Sequence, residues 1–248
     1  MNNLLIDIGN SGIKTALSKG RSVYSVKRFS YSDENFLNDF KKSLTYKKKE
    51  VGRIGVSCLN KNNHKLVDYI CKLRYSIKPE IIKFSKSLPI KIIYEKSLGT
   101  DRICSAVAAA VKYRPRKNIL VIDFGTATTY NLIINLVYLG GLITPGIITS
   151  LSALNSHANL PVAGLKSSGR LVRNKTEANI ISGVMHQSLF TTEKVIEKLK
   201  KDYKDLFIVC TGGLADIIFK KTKLIDKKDK NLVLEGINYI INQKQTKY

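Results

Sequence analysis

The sequence predicts an α/β fold with mixed sheets flanked by helices, arranged as two related halves. An apolar strand that ends in Asp-x-Gly occurs twice, at Asp7 and at Asp123, 116 residues apart. In each half these strands are followed by helical segments, the alternation expected where helices cover a sheet. A chain of 248 residues can hold two such halves, so we predict domains at 1–113 and 114–248.

The first half opens with a predicted three-stranded meander at about 3–8, 12–17 and 22–28. Apolar runs bounded by glycine and polar turn residues indicate these strands. Helical and β-type patterns then alternate. The further predicted elements are a polar helix near 34–45, a strand at Val51–Cys58, a helix at 62–75, short strands at Glu80–Phe84 and Ile90–Tyr94, and an alanine-rich helix from Gly99 to about Val111.

The second half repeats the meander after a proline and a charge cluster at 114–117, which predict a hinge. A final amphipathic helix is predicted at Asn231–Ile241. The elements between are strands at 119–124, 127–134 and 136–142, a glycine-rich turn at Gly140–Gly146, a helix towards Asn159, a loop at Gly164–Gly169, helices at Thr176–Phe190 and 192–203, and a strand at Leu206–Cys210.

The chain is strongly basic, with a formal net charge of +23. Phosphate backbones attract such charge, but the excess comes from 33 Lys against 9 Arg spread along the whole chain. Base recognition depends more on arginine, and no nucleic-acid module is recognisable. We therefore expect a lysine-rich solvated surface that attracts anionic substrates, and no nucleic-acid partner.

Cysteine and hydropathy patterns exclude several classes. The four cysteines are widely spaced without CxxC, and the three histidines are scattered, so neither a disulfide framework nor a zinc site is expected. The longest apolar helical run, Ile103–Val111, is far shorter than the ~20 residues of a membrane span. The expected location is the cytoplasm, without membrane association.

Each Asp-x-Gly copy combines a carboxylate at a strand end with a glycine turn and small polar donors. The first copy continues as Gly9-Asn10-Ser11 and the second as Gly125-Thr126-Ala127. Carboxylate oxygens suit hard cations, and backbone N–H groups of such turns suit phosphates. Apolar residues resume after each turn, which indicates hairpins rather than a dinucleotide-binding or P-loop turn. We expect Asp7 and Asp123 on opposite walls of a cleft between the halves, with Lys14 able to reach a phosphate.

The tetrad Gly99-Thr100-Asp101-Arg102 opens a helix. Arg102 could hold a substrate carboxylate in a bidentate contact, and Asp101 could accept the proton of an attacking hydroxyl. The helix N-terminus favours the ionised carboxylate and so lowers its pKa, which burial or a nearby anion would have to offset. An ordinary acidic helix start remains the alternative.

Two further signals are weaker by themselves. Thr176 begins a helix with Glu177 in the first turn, so it fits an N-cap as well as a ligand contact. Thr211-Gly212-Gly213 follows an apolar strand and forms a turn against which a nucleobase or ribose could lie.

In this order the motifs resemble those of the type III pantothenate kinases, members of the acetate and sugar kinase, Hsp70 and actin superfamily with duplicated ribonuclease-H-like domains. The resemblance spans nearly the whole chain. It rests on the segments Asp7–Ser11, Gly99–Arg102, Asp123–Thr129, Gly140–Gly146, Thr176 with Ser182-Gly183, Cys210–Gly213 and Leu232–Ile237.

The resemblance implies phosphorylation of pantothenate by ATP, the first step of coenzyme A biosynthesis, in a homodimer. It implies Asp101 as the catalytic base, Asp7 as a Mg²⁺ ligand, and Asp123 as the ligand of a monovalent cation, K⁺ or NH₄⁺. It implies two further sets of contacts. ATP would be bound by Asp7, Gly9, Asn10, Ser11, Lys14, Thr126 and Gly212, and pantothenate by Gly99, Thr100, Arg102 and Thr176.

A non-catalytic basic regulator on the same fold is the competing interpretation. An intact Asp101 and both Asp-x-Gly turns favour the enzyme, because a binding protein needs no base. A third alternative, another kinase or phosphatase of the superfamily, is disfavoured in its sugar-kinase branch by the short chain and the lack of a zinc cluster.

Overall fold

The computed structural model describes residues 1–44, 46, 48–59, 61–95, 97–158, 160 and 169–243. The chain forms two compact units. Unit 1 comprises Met1–Arg114, Leu136–Tyr138 and Asn231–Tyr248, and unit 2 comprises Pro115–Asn135 and Leu139–Lys230. Both are discontinuous in sequence, because a short segment and the C-terminal helix of the predicted second half pack in unit 1. In the described residues no helix is long and apolar enough to cross a membrane.

The elements of the described residues alternate much as the sequence predicts. The strands are β1 Asn2–Ile8, β2 Gly12–Lys19, β3 Ser22–Ser30, β4 Val51–Cys58, β5 Glu80–Ile81, β6 Lys91–Ile92, β7 Asn118–Phe124, β8 Ala127–Ile134, β9 Val137–Pro145, β10 Phe207–Thr211 and β11 Lys227–Lys228. The α-helices are α1 Phe36–Ser43, α2 Lys61–Tyr75, α3 Thr100–Lys112, α4 Ile147–Ala158, α5 Thr176–Asp202, α6 Ala215–Phe219 and α7 Leu232–Gln243.

Unit 1 contains a five-stranded mixed sheet of order β3-β2-β1-β4-β5. β1 pairs antiparallel with β2 and parallel with β4. Leu4, Leu5, Ile6 and Ile8 of β1 are all fully buried. Burial on both faces explains why this strand reads as a continuous apolar run rather than an alternating one.

The C-terminal helix α7 packs on α3 within unit 1. A Cβ on Gly236 would collide with the backbone carbonyl of Cys104, so only glycine permits this close helix contact. Lys112 and Glu235 add an ion pair of 2.7 Å between the two helices. Close packing of α7 therefore stabilises α3, the helix that bears the predicted base Asp101.

The second sheet has six strands in the order β11-β10-β7-β8-β9-β6, of which β6 and the first two residues of β9 belong to unit 1 and the rest to unit 2. β7 pairs antiparallel with β8 and parallel with β10. The apolar core lies between this sheet and helices α4, α5 and α6. The predicted α/β class with mixed sheets and covering helices is confirmed.

Two predictions in the second half were wrong, and two short elements were missed. The two helices predicted at 176–190 and 192–203 are one continuous helix, α5. Thr192 does not interrupt it, because its hydroxyl donates to the Ser188 carbonyl (2.8 Å) and bonds the Tyr130 hydroxyl (3.0 Å). The predicted turn at Gly140–Gly146 is mostly strand, since β9 runs to Pro145. Helix α6 and strand β11 were not predicted. Asn159 and residues 164–168 of the predicted loop lie outside the described residues.

Candidate active site

The first Asp-x-Gly carboxylate is buried. Asp7 lies directly opposite Lys14 in the β1–β2 register, and the Lys14 Nζ is 3.8 Å from Asp7 Oδ2. Burial raises the pKa of Asp7 to about 6, against a lowering by Lys14, while the negative charge of Asp101 adds to the rise. Asp7 Oδ1 has no hydrogen-bond partner among the described residues. This oxygen is thus a buried acceptor free for a ligand.

The turn after Asp7 is rigid, but its tip is exposed. The Gly9 N–H donates to the Gly12 carbonyl (3.0 Å), and the Tyr31 hydroxyl donates to the Gly9 carbonyl (3.2 Å). Asn10 and Ser11 are exposed at the tip. A fixed turn with exposed small polar residues can contact phosphate oxygens without first being ordered.

Asp101 stands in the first turn of α3, where its Oδ1 accepts the Arg102 backbone N–H at 2.8 Å. Burial, the largest cause, raises the pKa of Asp101 despite the lowering by that N–H and by the Arg102 charge. Burial therefore offsets the lowering of the Asp101 pKa that the helix N-terminus causes. A Cβ on Gly99 would lie only 2.6 Å from Asp101 Oδ1, so Gly99 makes room for the carboxylate.

A chain of buried hydroxyls connects Asp7 to the start of α3. The Thr100 Oγ1 accepts the Cys58 N–H (2.9 Å) and lies 3.1 Å from the Ser57 Oγ. Ser57 is fully buried, and its hydrogen bond to Asp7 lowers the pKa of that carboxyl. The two aspartates are thus held on one polar framework.

Sequence reasoning missed Ser57. A signal was available, because Ser57 is a polar residue near the end of an apolar strand, directly opposite Asp7 in the parallel β1–β4 register. That register cannot be read from sequence without knowing that β4 is the neighbour of β1.

Arg102 is only 8% exposed, and its guanidinium lies over the ring of Tyr94, with 5.5 Å from Cζ to the ring centroid. Tyr94 was given no firm role from sequence. Within unit 1 the structure brings Asp7, Lys14, Asp101 and Arg102 into one electrostatically coupled group.

The second Asp-x-Gly copy lies in unit 2. Asp123 is partly buried near the end of β7, opposite Thr129 of β8. Gly212 has φ +100°, and a Cβ there would lie 2.5 Å from both Asp123 Oδ1 and the Phe124 carbonyl oxygen. The turn Thr211-Gly212-Gly213 therefore packs directly against Asp123, and only glycine fits.

Thr126 sits exposed in the turn between β7 and β8. Its carbonyl accepts the Gly146 N–H (3.0 Å) and the Thr149 hydroxyl (2.6 Å), so the backbone of the turn is tied to the start of α4. The exposed side chain of Thr126 is compatible with a ligand contact.

Thr176 is the first residue of α5 and is exposed. The N-cap position is Lys175, and no side chain caps the helix. The N-cap alternative for Thr176 is therefore wrong by one residue, and its ligand contact stays a prediction.

Comparison with known proteins identifies the relatives of this chain. Residues 3–198 match the family model of type III pantothenate kinase. A type III pantothenate kinase from Christiangramia forsetii is 34% identical over 250 residues, covering 98% of this chain and 99% of the relative.

Solved structures agree on the fold. A candidate transcriptional activator of the Baf family from Campylobacter jejuni has a TM-score of 0.64 at 20% identity, covering 98% of this chain and 99% of its own. An activator of 2-hydroxyisocaproyl-CoA dehydratase from Clostridium difficile, solved with bound ADPNP, has a TM-score of 0.53 at 13% identity, covering 100% and 98%.

Proposed function

We propose that Asp101 is the base of the phosphoryl transfer, since this chain belongs to the type III pantothenate kinase family. The chain is an ATP-dependent kinase that phosphorylates pantothenate in coenzyme A biosynthesis. The observation that supports the catalytic role is the partly buried carboxylate of Asp101, held at the start of α3 beside Arg102 and coupled to Asp7.

In the proposed reaction Asp101 accepts the proton of the primary hydroxyl of pantothenate. The hydroxyl oxygen forms a bond to the γ-phosphorus as the bond from that phosphorus to the β,γ-bridging oxygen breaks, and ADP leaves. A pKa raised by burial makes the carboxylate of Asp101 a stronger base.

We propose Asp7 as the Mg²⁺ ligand, with Lys14, Gly9, Asn10 and Ser11 on the ATP phosphates. The fit rests on Asp7 Oδ1, a buried hard oxygen without a hydrogen-bond partner in the described part of the chain. No group of three or more His, Cys, Asp or Glu side chains is gathered among the described residues. A cation held by one carboxylate, phosphates and water suits Mg²⁺, which would neutralise charge on the transferring phosphoryl group.

We propose Asp123 as the ligand of a monovalent cation, K⁺ or NH₄⁺, with Thr126 and Gly212 contacting ATP. The Asp123 carboxylate and the Phe124 carbonyl oxygen both lie beside Gly212, and we propose these two oxygens as ligands, the carbonyl using the lone pair that the Leu214 N–H does not occupy. Omitting K⁺ and NH₄⁺ while keeping Mg²⁺ tests this proposal, because the kinase rate should then fall and return with either ion.

For pantothenate we propose Arg102 as the carboxylate partner, with Gly99, Thr100 and Thr176 around the substrate. Gly99 and Thr100 would act largely by shaping the start of α3, since the first leaves space for Asp101 and the hydroxyl of the second bonds β4. We also propose a homodimer from the family resemblance. Light scattering after size-exclusion chromatography should give twice the 27.8 kDa chain mass.

The central experiment measures ADP formation by the purified protein with ATP, Mg²⁺, K⁺ and pantothenate, beside the Asp101→Asn variant. We expect kcat to fall roughly 10²–10⁴-fold in the variant, with both proteins folded. Equal activity of the two would refute the base. A folded wild-type protein without pantothenate-dependent ADP formation would refute the function itself, and tight, salt-sensitive duplex DNA binding would then favour the regulator.

A further inference from the structure

Arg102 occupies an unfavourable place for a cation. It is 92% buried, and it lies in the first turn of α3, where the positive end of the helix dipole opposes positive charge. Such a side chain needs strong local partners to hold one orientation. Those partners also determine where its N–H groups point.

Two tyrosine rings flank the guanidinium. Arg102 Cζ lies 5.5 Å from the ring centroid of Tyr94 and 5.9 Å from that of Tyr138. The two rings meet edge to face, with centroids 6.0 Å apart and planes at 84°. The faces of aromatic rings attract a guanidinium, most strongly where water is excluded. Together the rings form a clamp around Arg102, which we call the tyrosine clamp.

Tyr138 contributes more than a ring. It is fully buried, so its hydroxyl needs a protein partner, and Arg102 donates a hydrogen bond to it. Burial raises the pKa of Tyr138 to about 12, so the hydroxyl stays neutral and can serve as an acceptor for the guanidinium. Tyr94 is 41% exposed and covers Arg102 from the solvent side.

The pairing of β6 with β9 places the rings of Tyr94 and Tyr138 close to α3. β6 pairs with the start of β9, where Ile92 is opposite Tyr138 and the Ile93 N–H donates to the Tyr138 carbonyl at 3.0 Å. Tyr94 follows two residues after β6. Leu136–Tyr138 belongs to unit 1, although the chain around it belongs to unit 2. The parallel pairing thus carries Tyr94 and Tyr138 to the same arginine.

We propose that the tyrosine clamp, through the Tyr138 hydroxyl, positions Arg102 and so makes the enzyme prefer a substrate that carries a carboxylate. This inference rests on the proposed role of Arg102 in pantothenate binding. Tyr138 acts through Arg102 and is a positioning residue, not a catalytic one. If Tyr138 only filled the core, its replacement by phenylalanine would leave the substrate preference unchanged.

The test uses the full-length protein and two substrates, pantothenate and its analogue with a primary alcohol in place of the carboxylate. Tyr138→Phe keeps the ring and removes only the hydroxyl. We expect KM for pantothenate to rise roughly 5- to 20-fold, because Arg102 loses its hydrogen bond to the Tyr138 hydroxyl and no longer holds the orientation that binds the carboxylate. The value of kcat should stay within about twofold. The KM for the alcohol should hardly change, so the preference for the carboxylate falls.

Tyr75→Phe is the matched control, because Tyr75 is equally buried in unit 1 and donates its hydroxyl to the Leu44 carbonyl (2.8 Å). It should lose comparable stability but keep both KM values. If Tyr138→Phe fails to fold, Tyr94→Leu, which removes the exposed ring face, should lower the same preference.

An unchanged carboxylate preference in the folded variant would overturn the clamp while pantothenate phosphorylation by the wild type still stands. A wild type that phosphorylates both substrates equally well would also overturn the inference. A folded wild type that phosphorylates neither would refute the proposed function, and the role of the clamp with it.

Discussion

Replacing Gly99 with alanine moves the proposed base without changing its chemistry. The new Cβ would lie 2.6 Å from Asp101 Oδ1 and 3.2 Å from Leu59 Cδ2. The backbone of Gly99, at φ −56° and ψ 140°, is freely available to alanine. Any effect of the substitution therefore comes from the contacts of the new Cβ, of which the one with the Asp101 carboxylate is the closest.

The size of the effect follows from that distance. Ordinary contacts begin at 3.4 Å, so Asp101 Oδ1 must withdraw by about 0.8 Å from its 2.6 Å position. The oxygen ends a side chain that can rotate, so the free energy of unfolding should change by less than ~1 kcal/mol. A misplacement of about 1 Å in a reacting group can cost roughly 10²-fold in rate. We expect kcat to fall about 10- to 100-fold.

Steady-state ADP formation and thermal unfolding measure the two quantities on the same preparations. Gly183→Ala is the matched control, since Gly183 is exposed in α5 and a Cβ there meets no atom within 4 Å. It should keep wild-type kcat. It should also gain about 0.5–1 kcal/mol of stability, because glycine inside a helix is less favourable than alanine by that amount. Wild-type kcat in Gly99→Ala would refute Asp101 as a base held in place by this contact.

Substitutions at three further positions test the residues around the site. Burial raises the pKa of Asp7 from 3.8 to about 6, so the folded protein binds this proton more tightly than the unfolded chain does. In metal-free urea titrations Asp7 should therefore lower the stability by up to ~3 kcal/mol as pH rises from about 4 to 6, and Asp7→Asn should make the slope shallower, leaving the part due to Asp101, whose pKa burial also raises. Gly212→Ala, which forces a Cβ against Asp123 and backbone at φ +100°, should cost about 1–3 kcal/mol in the same titrations and raise KM for ATP; an unchanged KM would contradict the nucleotide role. Thr100→Val leaves the Cys58 N–H without its acceptor and should lower stability by about 1–3 kcal/mol in thermal unfolding, whereas Thr100→Ser should largely retain it; equal losses would show that the hydroxyl is not what matters.

Local pattern was sufficient for most strands and for the helix α3. The meander, the carboxylate positions and the start of α3 depend on residues next to one another, so periodicity and turn chemistry predict them. The same local information failed at residue 191, where we predicted a break between two helices that are one continuous helix, α5. A buried hydrogen bond between Thr192 and Tyr130 satisfies the hydroxyl and lets the helix continue.

The partners of the site residues were beyond local pattern. Ser57 reaches Asp7 because β4 is the parallel neighbour of β1, and Tyr138 reaches Arg102 because β6 pairs with β9. Both pairings join segments far apart in sequence. β6 has only two residues, and β4 has no sequence feature that marks it as the neighbour of β1. A single sequence contains the residues but not the register that brings them together.

The residue opposite the aspartate differs between the two Asp-x-Gly copies, and that difference bears on their proposed cations. Lys14 is opposite Asp7, whereas Thr129 is opposite Asp123. A divalent cation at Asp7 is repelled by the lysine unless phosphate oxygens bind both the lysine and the cation, so the site favours the metal as its nucleotide complex. At Asp123 the opposing residue is neutral, and a single carboxylate with a carbonyl oxygen suits a cation of lower charge. The residue opposite the aspartate, a cation in the first copy and a hydroxyl in the second, is therefore consistent with the two different proposed cations.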